Sequence, residues 1–200
     1  SSNPNAASGR TVITLPRKPQ VWINMNEVNN EDLYGIQGPI NVYTPPPATA
    51  DSLIGGNLTN TITLSASKIY QLRKVLYVED GATLRIEPGT VILGDPNDVS
   101  AIVIKRGGKI YAKGTPEKPI VMTSGFAPGN RDRGDWGGLI IAGKASTNLG
   151  EAAIEGGLDV KYGPIGGVAD DDDSSGVVQY VRIEFAGIAE SPDNELNSLT

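Results

Sequence analysis

The chain has no cysteine and no histidine in 200 residues. Without cysteine there is no disulfide stapling, thiol nucleophile or thiolate metal site, although this leaves the cellular compartment open. Without histidine, Ser-His-Asp triads, imidazole-ligated zinc and imidazole acid–base chemistry are excluded within this chain. Aromatic residues make up only 6%, so the core has to be built mainly from aliphatic side chains. No apolar run reaches the roughly 18–20 residues of a membrane-spanning helix, so no transmembrane span is expected. Lys and Arg total 17 against 23 Asp and Glu, a net charge of −6, and no basic stripe is present. A nucleic-acid partner is therefore not expected, because backbone recognition rests on clustered cations. The chain opens on Ser1 without an initiator Met or signal-like segment, which reads as a processed or excised piece.

What is abundant is glycine, 25 residues, and proline, 14 residues, and both punctuate short apolar bursts. This is the pattern of an all-β chain with many tight turns. An offset of 26 superposes Val78-Glu79-Asp80-Gly81-Ala82-Thr83-Leu84-Arg85-Ile86-Glu87 on Ile104-Lys105-Arg106-Gly107-Gly108-Lys109-Ile110-Tyr111-Ala112-Lys113. Apolar residues fall on apolar ones, glycine on glycine, and acidic side chains on basic ones. A repeat of this length points to a solenoid of stacked strands, with equivalent residues one strand spacing of about 4.8 Å apart. Stacking then predicts the pairs Glu79–Lys105, Asp80–Arg106, Glu87–Lys113 and Arg85–Tyr111. It also predicts an inward ladder in which Leu76, Val78, Leu84 and Ile86 lie on Ile102, Ile104, Ile110 and Ala112. Matching Val91-Ile92-Leu93 to Ile120-Val121-Met122 raises the offset to 29, which places an insertion in the turn Gly114–Pro119.

Residues 1–56 lie outside this regularity. Short strand-like bursts and the Pro45-Pro46-Pro47 triplet suggest an extended strap or small β module on a stiff linker. Trp22 there is either a packing anchor or a sugar-stacking ring, with packing favoured because bulky aromatics mostly supply buried area. Residues 57–200 form the solenoid domain. After Met122 two larger excursions occur, Gly125–Gly134 with Arg131 and Arg133, and roughly Lys144–Ser175 with Asp170-Asp171-Asp172-Asp173. No capping element follows Leu199-Thr200, so the chain is expected to continue or to be covered there.

Few residues are candidates for chemistry. The Asp170, Asp171, Asp172 and Asp173 run is either a solvated acidic loop or a set of oxygen ligands for a structural Ca²⁺. Asp95, Asn97 and Asp98 read as turn formers. Alternation along a strand from Val177 to Phe185 places Val181, Ile183 and Phe185 on one face. Tyr180, Arg182 and Glu184 then form a polar aromatic strip on the other, suited to a sugar or closed by an Arg182–Glu184 ion pair. Glu184 with Glu190 or Asp193 could imitate a glycosidase pair. Trp136 either stacks on a sugar or plugs the core, with packing favoured by the glycines beside it. Arg131 and Arg133 either bind an acidic glycan or the Asp170 loop, or are solvated loop arginines.

The runs Asp80–Leu84 with Ile86–Thr90, Arg106–Ile110, Gly134–Gly138 and Tyr180–Gly187 resemble right-handed parallel β-helix proteins of the pectate-lyase-like kind, and more closely exported surface proteins of that fold from Bacteroidota. The resemblance covers roughly residues 57–200. It implies an all-β right-handed parallel β-helix, with an extracellular or cell-surface, outer-membrane-associated location. The residues themselves favour a non-catalytic scaffold, adhesin or assembly subunit working through strand edges or end-to-end contacts with a protein partner or itself. The rival is a glycan-binding protein, or a Ca²⁺-dependent polysaccharide lyase or glycoside hydrolase in which Arg182 and the aspartate run work along the groove.

Overall fold

The structure is a computed structural model that describes residues 50–191 and 194–200. The strap expected over residues 1–49, with Trp22 and the proline triplet, lies outside the described residues. Strand pairing begins at Ser52, ahead of the boundary expected at residue 57.

The described residues contain strands and no helix. The first coil is β1 (Ser52–Leu58) and β2 (Thr61–Leu64), and the second is β3 (Ile69–Val78) and β4 (Thr83–Ile86). The third is β5 (Val91–Gly94), β6 (Ala101–Ile104) and β7 (Lys109–Lys113). The fourth starts with β8 (Ile120–Ser124) and β9 (Leu139–Ile141), makes a long excursion carrying β10 (Ala152–Ala153) and β11 (Lys161–Tyr162), and ends with β12 (Gly176–Gln179). The fifth opens with β13 (Val181–Ile183), and an antiparallel pair follows, β14 (Ala189–Ser191) with β15 (Asn194–Glu195).

Each coil has three faces, and equivalent faces pair in parallel. One sheet runs β3, β5, β8, β13 through the first half of β3. A second runs β3, β6, β9 through its other half, and a third runs β2, β4, β7, β12. This is a parallel β-helix. Its corners explain where the sequence inserts residues. The corner between the first two faces is Gly55 in β1 and Arg73-Lys74 in β3, where Lys74 adopts φ of 60°. In the third coil that corner grows to Asp95–Ser100, closed by Asp95 accepting from the Asn97 amide at 3.0 Å and by the Ser100 hydroxyl donating to Asp95 O at 3.0 Å. In the fourth it becomes the loop between β8 and β9. Corners face solvent and absorb length; stacked strands cannot.

The expected register holds where the offset is constant. Leu76 pairs with Ile102, Val78 with Ile104, Leu84 with Ile110 and Ile86 with Ala112, and all eight are buried in one core. Lys105 pairs with Glu79 at 2.9 Å, and the Arg85 guanidinium lies 4.8 Å from the centre of the Tyr111 ring. Three expectations fail. Arg106 leaves Asp80 and instead pairs with Glu151 at 2.8 Å, because the fourth-coil excursion returns across that corner. Glu87 accepts from the Ala66 amide at 3.0 Å, and among the described residues no ion pair joins it to Lys113. Val91 pairs with Val121, not Ile120, which puts Ile92 on Met122 in the inner column. A one-residue slip would turn that whole strand inside out.

Gly107 shows why the turn over Lys105–Gly108 needs glycine. Its φ is 84°, and a Cβ there would sit 1.8 Å from Asp80 Oδ1. The positive φ would strain a side chain there, and an added Cβ would have to displace the Asp80 carboxylate.

The second sheet is apolar on both sides. Its outward residues Val75, Ala101, Val103 and Ile140 form a second core with Ala142, Val160 and Leu196, against which Ile154, Leu158 and Tyr162 pack. The excursion therefore folds back over the sheet rather than projecting into water.

Candidate functional site

The polar strip expected from Val177 to Phe185 is broken at Tyr180. That residue takes φ of 48° and forms a single-residue corner, so β12 and β13 belong to different faces. No glycine or proline marks the corner, which is why alternation ran straight through it. Tyr180 is 49% exposed, while Val181 and Ile183 pack against the core as expected. Phe185 does not extend their face: the strand ends at Ile183, and Phe185 itself adopts φ of 59°.

Arg182 and Glu184 form the ion pair that the spacing allowed. It is not a surface pair, since Glu184 is only 6% exposed. The Glu184 amide donates to Met122 O at 2.9 Å, and its carbonyl accepts from Trp136 Nε1 at 2.8 Å. Glu184 is thus tied at backbone and side chain. Asp193 lies outside the described residues, as does the side chain of Glu190, the two partners weighed for a glycosidase pair.

Trp136 is fully buried, and its indole lies on Gly94, where an added Cβ would come 2.4 Å from the Trp136 side chain. The ring fills the core, and it is not offered to a ligand. Arg131 is also buried, at 1% exposure, and its Nε donates to Phe126 O at 2.7 Å, so it holds its loop together from inside. Arg133 is exposed.

The aspartate run has partners that the sequence did not indicate. Lys144 Nζ lies 3.8 Å from both Asp170 and Asp173, and the Lys144 amide donates to Asp173 at 2.8 Å. Asp171 accepts from the Ser146 amide at 2.7 Å, and this bond holds its carboxyl below the usual aspartate range. One cation and two amides relieve much of the repulsion that suggested a metal. Among the described residues, no group of three or more acidic side chains converges as metal ligands would.

A second electrostatic knot was also missed. Arg106 Nη1 contacts Glu151 and donates to the carbonyls of Gly163 and Pro164 at 3.2 and 3.1 Å, and Lys161 contacts Glu151 at 2.9 Å. Lys161 first and Arg106 second hold the Glu151 carboxyl below the ordinary glutamate range. Glu151 lies 45 positions from Arg106, so only the folded excursion brings them together.

Two clefts flank the excursion. One, of about 530 Å³, lies between it and the end of β9, and the other, of about 690 Å³, lies beside β1 and β3. Neither gathers a catalytic constellation among the described residues, where Glu155 is the one acidic group lining the first and Asp98 the one lining the second.

Against known families, the pectate-lyase-like β-helix domain matches residues 56–200. The chain belongs to this family. Comparison with curated proteins and with solved structures found no match. Among the described residues no helix is long and apolar enough to cross a membrane.

Proposed function

We propose that this β-helix domain is a non-catalytic scaffold, an adhesin or assembly subunit of an extracellular or cell-surface structure. One observation carries the reading: most side chains of the type that does chemistry already have internal partners. Glu184 is buried against Arg182, Asp170 and Asp173 share Lys144, Asp171 holds the Ser146 amide, and Arg131 is buried in its loop. A general acid or base has to reach substrate, and a paired, buried carboxylate does not. The end strands β2 and β12 each have one neighbour in their sheet among the described residues, so their outer edges offer main-chain groups for strand addition. The surface location rests on the resemblance described above.

The test is a screen of acidic polysaccharides with and without Ca²⁺, run beside sedimentation of the same preparation over a concentration series. The expected result is no new unsaturated or reducing end, together with association as concentration rises. Cleavage that is lost in Arg182→Ala would replace the scaffold with a lyase or hydrolase.

A further inference from the structure

The excursion over the second sheet carries a hairpin whose two apolar residues, Ile165 and Val168, belong to neither hydrophobic core. Ile165 and Val168 bridge each other in antiparallel fashion, each amide donating to the other's carbonyl, at 3.1 and 3.0 Å. Gly166 and Gly167 between them have φ of 57° and 82°, the two left-handed positions of a tight two-residue hairpin turn. The tip is closed by two backbone hydrogen bonds and is apolar in side chain, and Ile165 and Val168 are 52% and 75% exposed. Its base is anchored, since Gly163 N–H donates to Gly143 O at 2.9 Å and Asp170 N–H to Lys144 O at 3.1 Å. Two residues beyond Asp170 stands Asp172, exposed and without an ion pair among the described residues. An apolar knob followed four residues on by an exposed carboxylate is complementary to an apolar recess with a positive rim.

The cleft of about 690 Å³ beside β1 and β3 has that character. Its floor includes Val75, Leu158 and Leu196, with Val99 at 47% exposure, and Arg73 and Lys74 are exposed at the corner that lines it. Neither cation makes an ion pair among the described residues. The acidic lining residue, Asp98, already accepts from the Val99 amide at 2.8 Å. Its size falls in the range of clefts that accept a binding group, about 300–1,000 Å³.

We propose that the Ile165–Val168 hairpin tip of one copy seats in the Arg73–Lys74 cleft of a second copy. This builds on the assembly reading above and names its interface. The cleft is lined by β1 and β3, by Asp98 and Val99 of the third-coil corner and by Gly156-Gly157-Leu158 of the excursion, and it shares no residue with the Ile165–Val168 tip, so the contact joins unlike surfaces. A contact between unlike surfaces repeats head to tail, giving a ring or an open chain of copies. A two-residue apolar tip buries far less than the 1,200–2,000 Å² of a standard interface, so each contact is weak and is multiplied only in an array.

Sedimentation velocity on the purified chain over a concentration series tests this directly. Val168→Ser, at an exposed tip position whose backbone pairing it preserves, is expected to weaken association about fivefold or more. Asp172→Lys and Lys74→Glu are each expected to weaken it by a similar factor, and the combined charge swap to restore it. Association unchanged by all three single variants would overturn this interface while leaving assembly through strand edges in place. A wild-type chain that stays monomeric throughout, or a charge swap that fails to rescue, would also overturn it. The polysaccharide screen on the same preparation is judged separately, because cleavage there overturns the scaffold reading whatever the state of association.

Discussion

The sheet formed by β3, β6 and β9 and the sheet formed by β2, β4, β7 and β12 belong to the same coils, yet they are built differently. In β6 all four residues, Ala101-Ile102-Val103-Ile104, are apolar and buried, whereas β4 alternates Leu84 and Ile86 inward with Thr83 and Arg85 outward. The β3-β6-β9 sheet has the excursion on its outer side; the β2-β4-β7-β12 sheet faces water there. Strands buried on both faces lose the period of two, and strands buried on one face keep it. The loss of alternation at residues 101–104 was a visible sign that something would cover them. It did not say what.

The largest expected effect comes from placing a hydroxyl on each outer face. Val103→Thr keeps the shape but buries a polar group beneath the excursion, so a loss of about 1–3 kcal/mol is expected in urea unfolding. Val177→Thr, on the outer column of the open sheet beside Tyr111, should change stability by less than about 0.5 kcal/mol. Equal costs at the two positions would erase the distinction between the sheets.

A smaller effect is expected on the open face itself, where Arg85 lies over Tyr111. A double-mutant cycle with Arg85→Ala and Tyr111→Ala should give a coupling of about 0.5–1 kcal/mol that persists in moderate salt better than the Lys105–Glu79 pair does. A coupling of zero would leave only strand pairing to hold that register.

The smallest effect is local to the covering excursion. The Glu151 carboxyl is depressed in the folded chain by Lys161 and Arg106, so its contribution is present above the ordinary glutamate pKa. It is lost as pH falls through the depressed folded value. Cleavage of the excursion by an acid-active protease should therefore quicken across that window while the coil stack survives. Glu151→Gln should make cleavage fast already at neutral pH and flatten the dependence. A pH profile identical in wild type and variant would show that the knot does not hold the excursion.

The inner ladder from Leu76 to Ala112 was legible because contacts between coils recur at a constant offset, and composition alone marks which residues point in. The Arg85–Tyr111 and Glu79–Lys105 contacts followed from the same offset. The register slip at Val91 was harder to see. Apolar residues stand at every position of Ile120-Val121-Met122, so hydrophobicity matched two alignments equally well, and only the buried partners of Ile92 select one. For the candidate site the sequence offered residue types without surroundings. It could name Trp136 and weigh plug against platform, but the space over Gly94 settles it.

By itself, then, the order of residues determined that this chain winds as a stack of short parallel strands, because neighbouring coils touch through local spacing that a constant repeat encodes. Tertiary structure alone decided that Arg106 serves Glu151 and not Asp80, that Lys144 stands between Asp170 and Asp173, and that Tyr180 turns a corner. Those outcomes depend on where a long insertion lands when it folds back, and that landing is chosen by apolar burial across the sheet it covers.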